Sequence, residues 1–169
     1  MSRPQSDLDA LLDDLRKVYD GDPWHGSSIM EVLKGIDADV AARRSIPHAH
    51  TIWEIVLHMT GWTREVASRV RGAPAKSPSE DWPAPRFGGG AAAWKAAKDD
   101  LAAAQTEIEA AVGALNADDL IRWIENHEGA GYTVGTVIRG LLQHHTYHEG
   151  QIAILKRAAE TTKLPPTLL

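Results

Sequence analysis

From Ala91 to Leu115 the chain is alanine-rich, contains no proline and has no glycine before Gly113. That composition has the highest intrinsic helix propensity available, so it predicts a long helix, closed by Asn116. Whatever packs on it must supply a matching apolar stripe, and three other segments do. Between Asp7 and Tyr19 the residues Leu8, Leu11, Leu12, Leu15, Val18 and Tyr19 recur at helical spacing. Ser6 stands at the N-cap position, acidic Asp7 and Asp9 complement the dipole, and Gly21-Asp22-Pro23 ends the helix. A second long helix runs from about Thr51 to Val70 on Ile52, Ile55, Val56, Met59, Trp62 and Val66, with Thr51 and Glu54 spaced as a capping box. The last runs from near Thr133 to about Ala159 on Val134, Val137, Ile138, Leu141, Ile152 and Leu155, and Pro165 and Pro166 forbid its continuation.

Between these segments the reading is coarser. Trp24 to Ser28 reads as a turn, Ile29 to Ile36 as a short helix, and Asp37-Ala38-Asp39 as the start of another. Gly72 to Gly90 carries Pro74, Pro78, Pro83 and Pro85 with three consecutive glycines, so it is a long connection. Trp82 and Phe87 are the residues able to hold it across the helices. Residues 117 to 131 read as irregular. With no alternating strand pattern and no internal repeat, the expectation is an all-α fold, a four-helix bundle forming one domain over residues 1–169.

Composition narrows the function classes. A hydrophobic fraction of 43% and a charged fraction of 24% are those of a folded globular protein. No apolar run is long enough to span a bilayer and the start has no secretion-signal character, so no membrane partner and a cytoplasmic location are expected. The net charge of -5 is mixed in sign, and no basic cluster exceeds Arg43-Arg44, which argues against a nucleic-acid partner. Without cysteine, a metal site must be built from imidazole and carboxylate.

The chain has 8 histidines. His148 falls near the centre of the apolar face of the last helix and His144 close to its edge, at ~100° per residue. Histidines four apart stack on one helix face and can converge on one ion. A third ligand must come from another helix, and His58, on the flank of the second stripe, is the candidate. The alternative is that all three are core histidines satisfied by backbone or carboxylate partners. Both readings stand on spacing alone.

The segment Gly140 to Leu155, GLLQHHTYHEGQIAIL, taken with Thr51 to Trp62, TIWEIVLHMTGW, resembles the DinB/YfiT-like superfamily. The resemblance extends over nearly the whole chain in its order of elements, and its specificity rests on those two histidine segments. It implies a four-helix bundle holding a divalent metal, nickel or zinc, on one histidine of the second long helix and an H-x-x-x-H pair in the last. Matched position by position, these are His58, His144 and His148. His145 stands where many relatives carry a polar or acidic residue. It too points inward on the helical wheel, so a pair His145 and His148 competes with the first assignment.

The resemblance further implies a metal-dependent enzyme acting on a small molecule, either like the thiol S-transferases and isomerases that use low-molecular-weight thiols or like metal-dependent hydrolases. The contrasting reading is a non-catalytic helical bundle whose metal or histidines are structural. Homodimerisation through helix faces is compatible with both. No general base stands out, and the catalytic residues stay unknown. Glu54 reads as a helix cap, Gln151 as packing polarity, and Tyr147 as an exposed residue off the apolar face. Gly150 reads as a point of close helix approach. His25, His48, His50 and His127 fall in loops or helix starts, with His50 placed either to line a pocket entrance or to serve the turn after Pro47. Trp24, Trp53 and Trp62 read as core anchors.

Overall fold

The computed structural model describes residues 7–85, 90–125 and 130–161, and these are mostly helical. The helices are α1 (Asp7–Asp20), α2 (Ile29–Leu33), α3 (Ala38–Ala42), α4 (Ile52–Val70), α5 (Ala91–Gly113) and α6 (Val134–Thr161). The four segments expected as long helices are α1, α4, α5 and α6, within a few residues at each end. Ser6, Phe87, His127, Pro165 and Pro166 lie outside the described residues.

Local chemistry explains most boundaries. Thr51 caps α4 through its hydroxyl, which accepts from the Glu54 N–H, while the Glu54 carboxylate accepts from the Thr51 N–H in return. α2 is shorter than its apolar run, because Ser28 caps it and the chain turns at Lys34. Asp37 caps α3. Asn116 does not close α5, which ends at Gly113. Its side chain instead caps a 3-10 helix over Ala117–Ile121, with Asp119 completing a capping box.

Residues 117–131 are therefore not simply irregular, and the expectation of no strand needs correction. β1 (Trp123–Glu125) and β2 (Gly131–Thr133) pair antiparallel, Trp123 opposite Thr133 and Glu125 opposite Gly131. Three-residue strands are too short to show alternation. Gly131 is required there, since a Cβ would overlap the carbonyl oxygen of Ile124.

α4 packs against α5 and α6, and α1 closes on α5 and α6 from the other side. The core falls into two apolar clusters. One joins Ile52, Val56 and Met59 of α4 to Leu101 of α5 and Ile152 and Leu155 of α6. The other joins Val66 and Val70 of α4 to Ile108 of α5 and Val134, Ile138 and Leu141 of α6. α4 and α6 therefore run antiparallel, and the residues between the clusters on each helix meet at one level. At that level most of the buried residues are polar: Thr60, Thr63 and Glu65 of α4, Gln105 of α5 beside the buried Ala104, and His145, His148 and Glu149 of α6. A polar belt crosses the middle of an otherwise apolar interior.

Candidate metal centre

At one edge of this belt His58, His144 and His148 come together. Each offers one ring nitrogen, and these atoms lie within 4.8 Å of one another. His58 and His148 are buried and His144 is half-buried. The Nε2 atoms of His58 and His144 are 2.9 Å apart. Two nitrogens each about 2.0–2.1 Å from one first-row ion have a separation of about 2.9 Å when they subtend a right angle.

The opposite side of each ring decides which nitrogen faces inward. His58 Nδ1 donates to the main-chain oxygen of Asp81 at 2.6 Å, with the Asp81 carboxylate 3.4 Å away. His148 Nδ1 donates to Gln151 Oε1 at 2.6 Å. With the ring proton held on Nδ1, Nε2 of each is a bare lone pair, the state a metal ligand needs. Burial, then the neighbouring His148 and His58, pushes His144 down to about 4, and burial likewise lowers His148. Both rings are thus neutral near pH 7. Among the described residues no acceptor holds the His144 proton on Nδ1, so without an ion its Nε2–H donates to the lone pair of His58 Nε2; the three rings fit a divalent cation once that proton moves to Nδ1.

The long connection after α4 supplies the rest of the site. Trp82 stacks face to face on His58 at 3.9 Å between ring centroids and on His50 at 3.6 Å. His58 is thereby fixed in its plane by Trp82 and in its rotation by Asp81. Trp62 Nε1 donates to Asp81 Oδ1 at 2.7 Å, which ties the same loop to α4. Beside the histidines a cavity of about 500 Å³ opens between α4 and α6, lined by His58, His144, Trp62, Trp82, Arg69 and Leu141 among others.

His145 is not part of the cluster. It is wholly buried, and its Nε2 lies 2.9 Å from Thr63 Oγ1, which itself donates to the Met59 carbonyl. Thr63 has spent its proton, so His145 Nε2–H is the donor, and the competing His145–His148 pair is not assembled. Burial pushes His145 down to about 3.

Other sequence expectations divide. Tyr147 is exposed, and Glu54 does cap α4. Burial alone would raise the Glu54 pKa, but the Thr51 N–H, Arg44 and His50 outweigh it and hold the carboxyl low. Gln151 is not mere packing polarity, since it orients His148. A Cβ on Gly150 would meet nothing within 4 Å, so no close helix approach occurs there. Trp53 is buried in the core, Trp62 lines the cavity, and Trp24 is fully exposed rather than an anchor. His50 reaches the site through Trp82 and does not line the cavity. His25 contacts the buried Glu149 at 3.3 Å. Asp81 was not foreseen, and its backbone contact to His58 leaves no sequence signature.

The model of the DinB superfamily matches residues 24–152, a span that includes every residue of the histidine cluster and its supports. The chain belongs to the DinB superfamily. No curated protein and no solved structure matches it. Among the described residues of this DinB protein, no helix is long and apolar enough to cross a membrane.

Proposed function

We propose that this DinB protein is a divalent-metal-dependent enzyme, thiol S-transferase-like or hydrolase-like, acting on a small molecule. His58, His144 and His148 are the ligands, and nickel or zinc is the ion. α1, α4, α5 and α6 form the four-helix bundle of the DinB/YfiT-like type, one domain over the whole chain. The observation that carries the reading is the convergence of three imidazole nitrogens beside a cavity of about 500 Å³ that His58 and His144 line. A structural site would be closed by a fourth protein ligand, and among the described residues no fourth His, Asp or Glu joins the group.

A bound divalent ion supplies Lewis acidity that stabilises the anionic form of a thiol or water nucleophile near neutral pH. The chain's own residues do the positioning. Asp81 and Gln151 hold the ring protons of His58 and His148 on Nδ1, so that neither Nε2 changes tautomer. Trp82 covers one face of His58 and keeps water from it. The apolar cavity wall lowers the local dielectric, which strengthens any charge interaction made inside.

The test is a screen of metal-loaded protein with a panel of cellular thiols and electrophiles, alongside simple esters and amides. The expected result is accelerated conjugation or hydrolysis with at least one pair, lost in His148→Ala. A loaded protein that accelerates none of them, and whose ion has no exchangeable position by spectroscopy, holds a structural metal.

A further inference from the structure

Arg69 marks the far end of the same cavity. It lies three helical turns beyond His58 on α4, about 16 Å along the axis. Helical side chains lean toward the N-terminus, and its guanidinium accordingly reaches back over the Trp62 ring, 5.7 Å from the centroid. Trp62 in turn is 6.4 Å from both His58 and His144. The cation is therefore separated from the histidines by little more than one indole.

Arg69 is also built in place. Its side chain is only 16% exposed; Nε donates to Glu65 Oε1 at 2.9 Å, and Nη2 donates to the Lys76 carbonyl. Glu65 is anchored in turn by the Lys76 N–H at 2.8 Å. Among the described residues Nη1 has no acceptor. Fixing an arginine along its Nε edge while leaving a terminal nitrogen open is how a guanidinium is pre-aimed at a planar anion. Between the two ends the wall is apolar, with Val66, Val137 and Leu141. The Asp81 carboxylate stands at the histidine end, where it repels a second anion and sets the direction of binding.

We propose that the cavity takes an elongated, mainly apolar carboxylate, its carboxyl group on Arg69 and its reactive end at the histidine cluster. This deepens the reading above by naming the substrate class, and Arg69 is its specificity-determining residue.

The test uses the purified full chain, with and without zinc, titrated calorimetrically with octanoate and with octanamide, which matches it in size and lacks the charge. Octanoate should bind at least about tenfold more tightly, as expected for a charge-assisted hydrogen bond. Arg69→Gln should abolish the difference. Because that change leaves Glu65 as an unpaired buried charge, Glu65→Gln combined with Arg69→Gln is the second variant, and it should behave alike. Equal affinities for the two ligands, absence of octanoate binding, or a preference that survives in both variants overturns the proposal. A mercapto-octanoate separates it from the metal reading: zinc-dependent tightening tests the histidine end. Its absence, with the Arg69-dependent preference intact, removes the thiol reading and leaves the carboxylate site standing.

Discussion

His144 and His145 are neighbours in sequence, yet they occupy two different regions of the polar belt. On the cavity side, His58 and His148 are each held by an acceptor on Nδ1, and with His144 they present Nε2 toward one point. On the interior side, His145 gives its Nε2 proton to Thr63 and is closed off from solvent. Residue type is the same in both regions, and His58, His148 and His145 are all buried; the direction of the hydrogen bond is what differs. Where the outer nitrogen is anchored, the inner one is left open for chemistry. Where the inner one is consumed, the histidine is a structural part of the core.

The contrast is sharpest in metal binding. His148→Ala removes one of the three proposed ligands and should abolish binding, from about one equivalent to none by elemental analysis. His145→Ala should keep the full equivalent. The opposite pattern would assign the ion to the interior side. Next in size is Gln151→Leu, which leaves all three proposed ligands present and frees the tautomer of His148. Metal affinity should fall by roughly 10- to 100-fold in a chelator competition, the usual loss for a supporting hydrogen bond. An unchanged affinity would mean that Gln151 does not orient the ring.

The helices and the three clustered histidines are legible in the sequence; the difference between His144 and His145 is not. The helical stripes set α1, α4 and α6, alanine-rich composition set α5, and the spacing of His144 and His148 with the flank position of His58 pointed to the cluster. His145 could not be separated from it, because a helical wheel gives direction only to within one residue's turn. What decides its role is Thr63 on another helix. Asp81 was invisible for a different reason: it acts on His58 through its main-chain oxygen, which any residue possesses. Trp82 could be read as packing, but not as packing on the histidines themselves. Trp24 misled because an aromatic residue beside a turn carries no local pattern to say which way it faces.

A smaller effect separates the two regions by stability. Thr63→Val removes the hydroxyl that accepts from His145 and leaves a buried N–H without a partner, which costs about 1–3 kcal/mol. Urea unfolding of the metal-free protein should show that loss, while metal affinity stays within about twofold of the parent, since the hydrogen bonds of Thr63 go to Met59 and His145 and not to the three proposed ligands. A variant that is as stable as the parent would show that His145 finds another acceptor.

The finest distinction is in the proton count. His145 is held neutral in the folded chain down to about pH 3, whereas its ordinary value is 6.5. Between these limits the unfolded chain binds a proton that the folded chain does not. Its contribution to stability is complete above pH 6.5 and is lost as pH falls toward 3, with a slope approaching 1.4 kcal/mol per pH unit for one proton. His144 acts in the same direction down to about 4. In His145→Gln one proton leaves this difference, so the metal-free variant should lose stability less steeply than the parent on acidification below pH 6.5. Parallel slopes in urea titrations across that window would mean that His145 is charged inside the fold, and the division of the belt into an open and a closed side would fail with it.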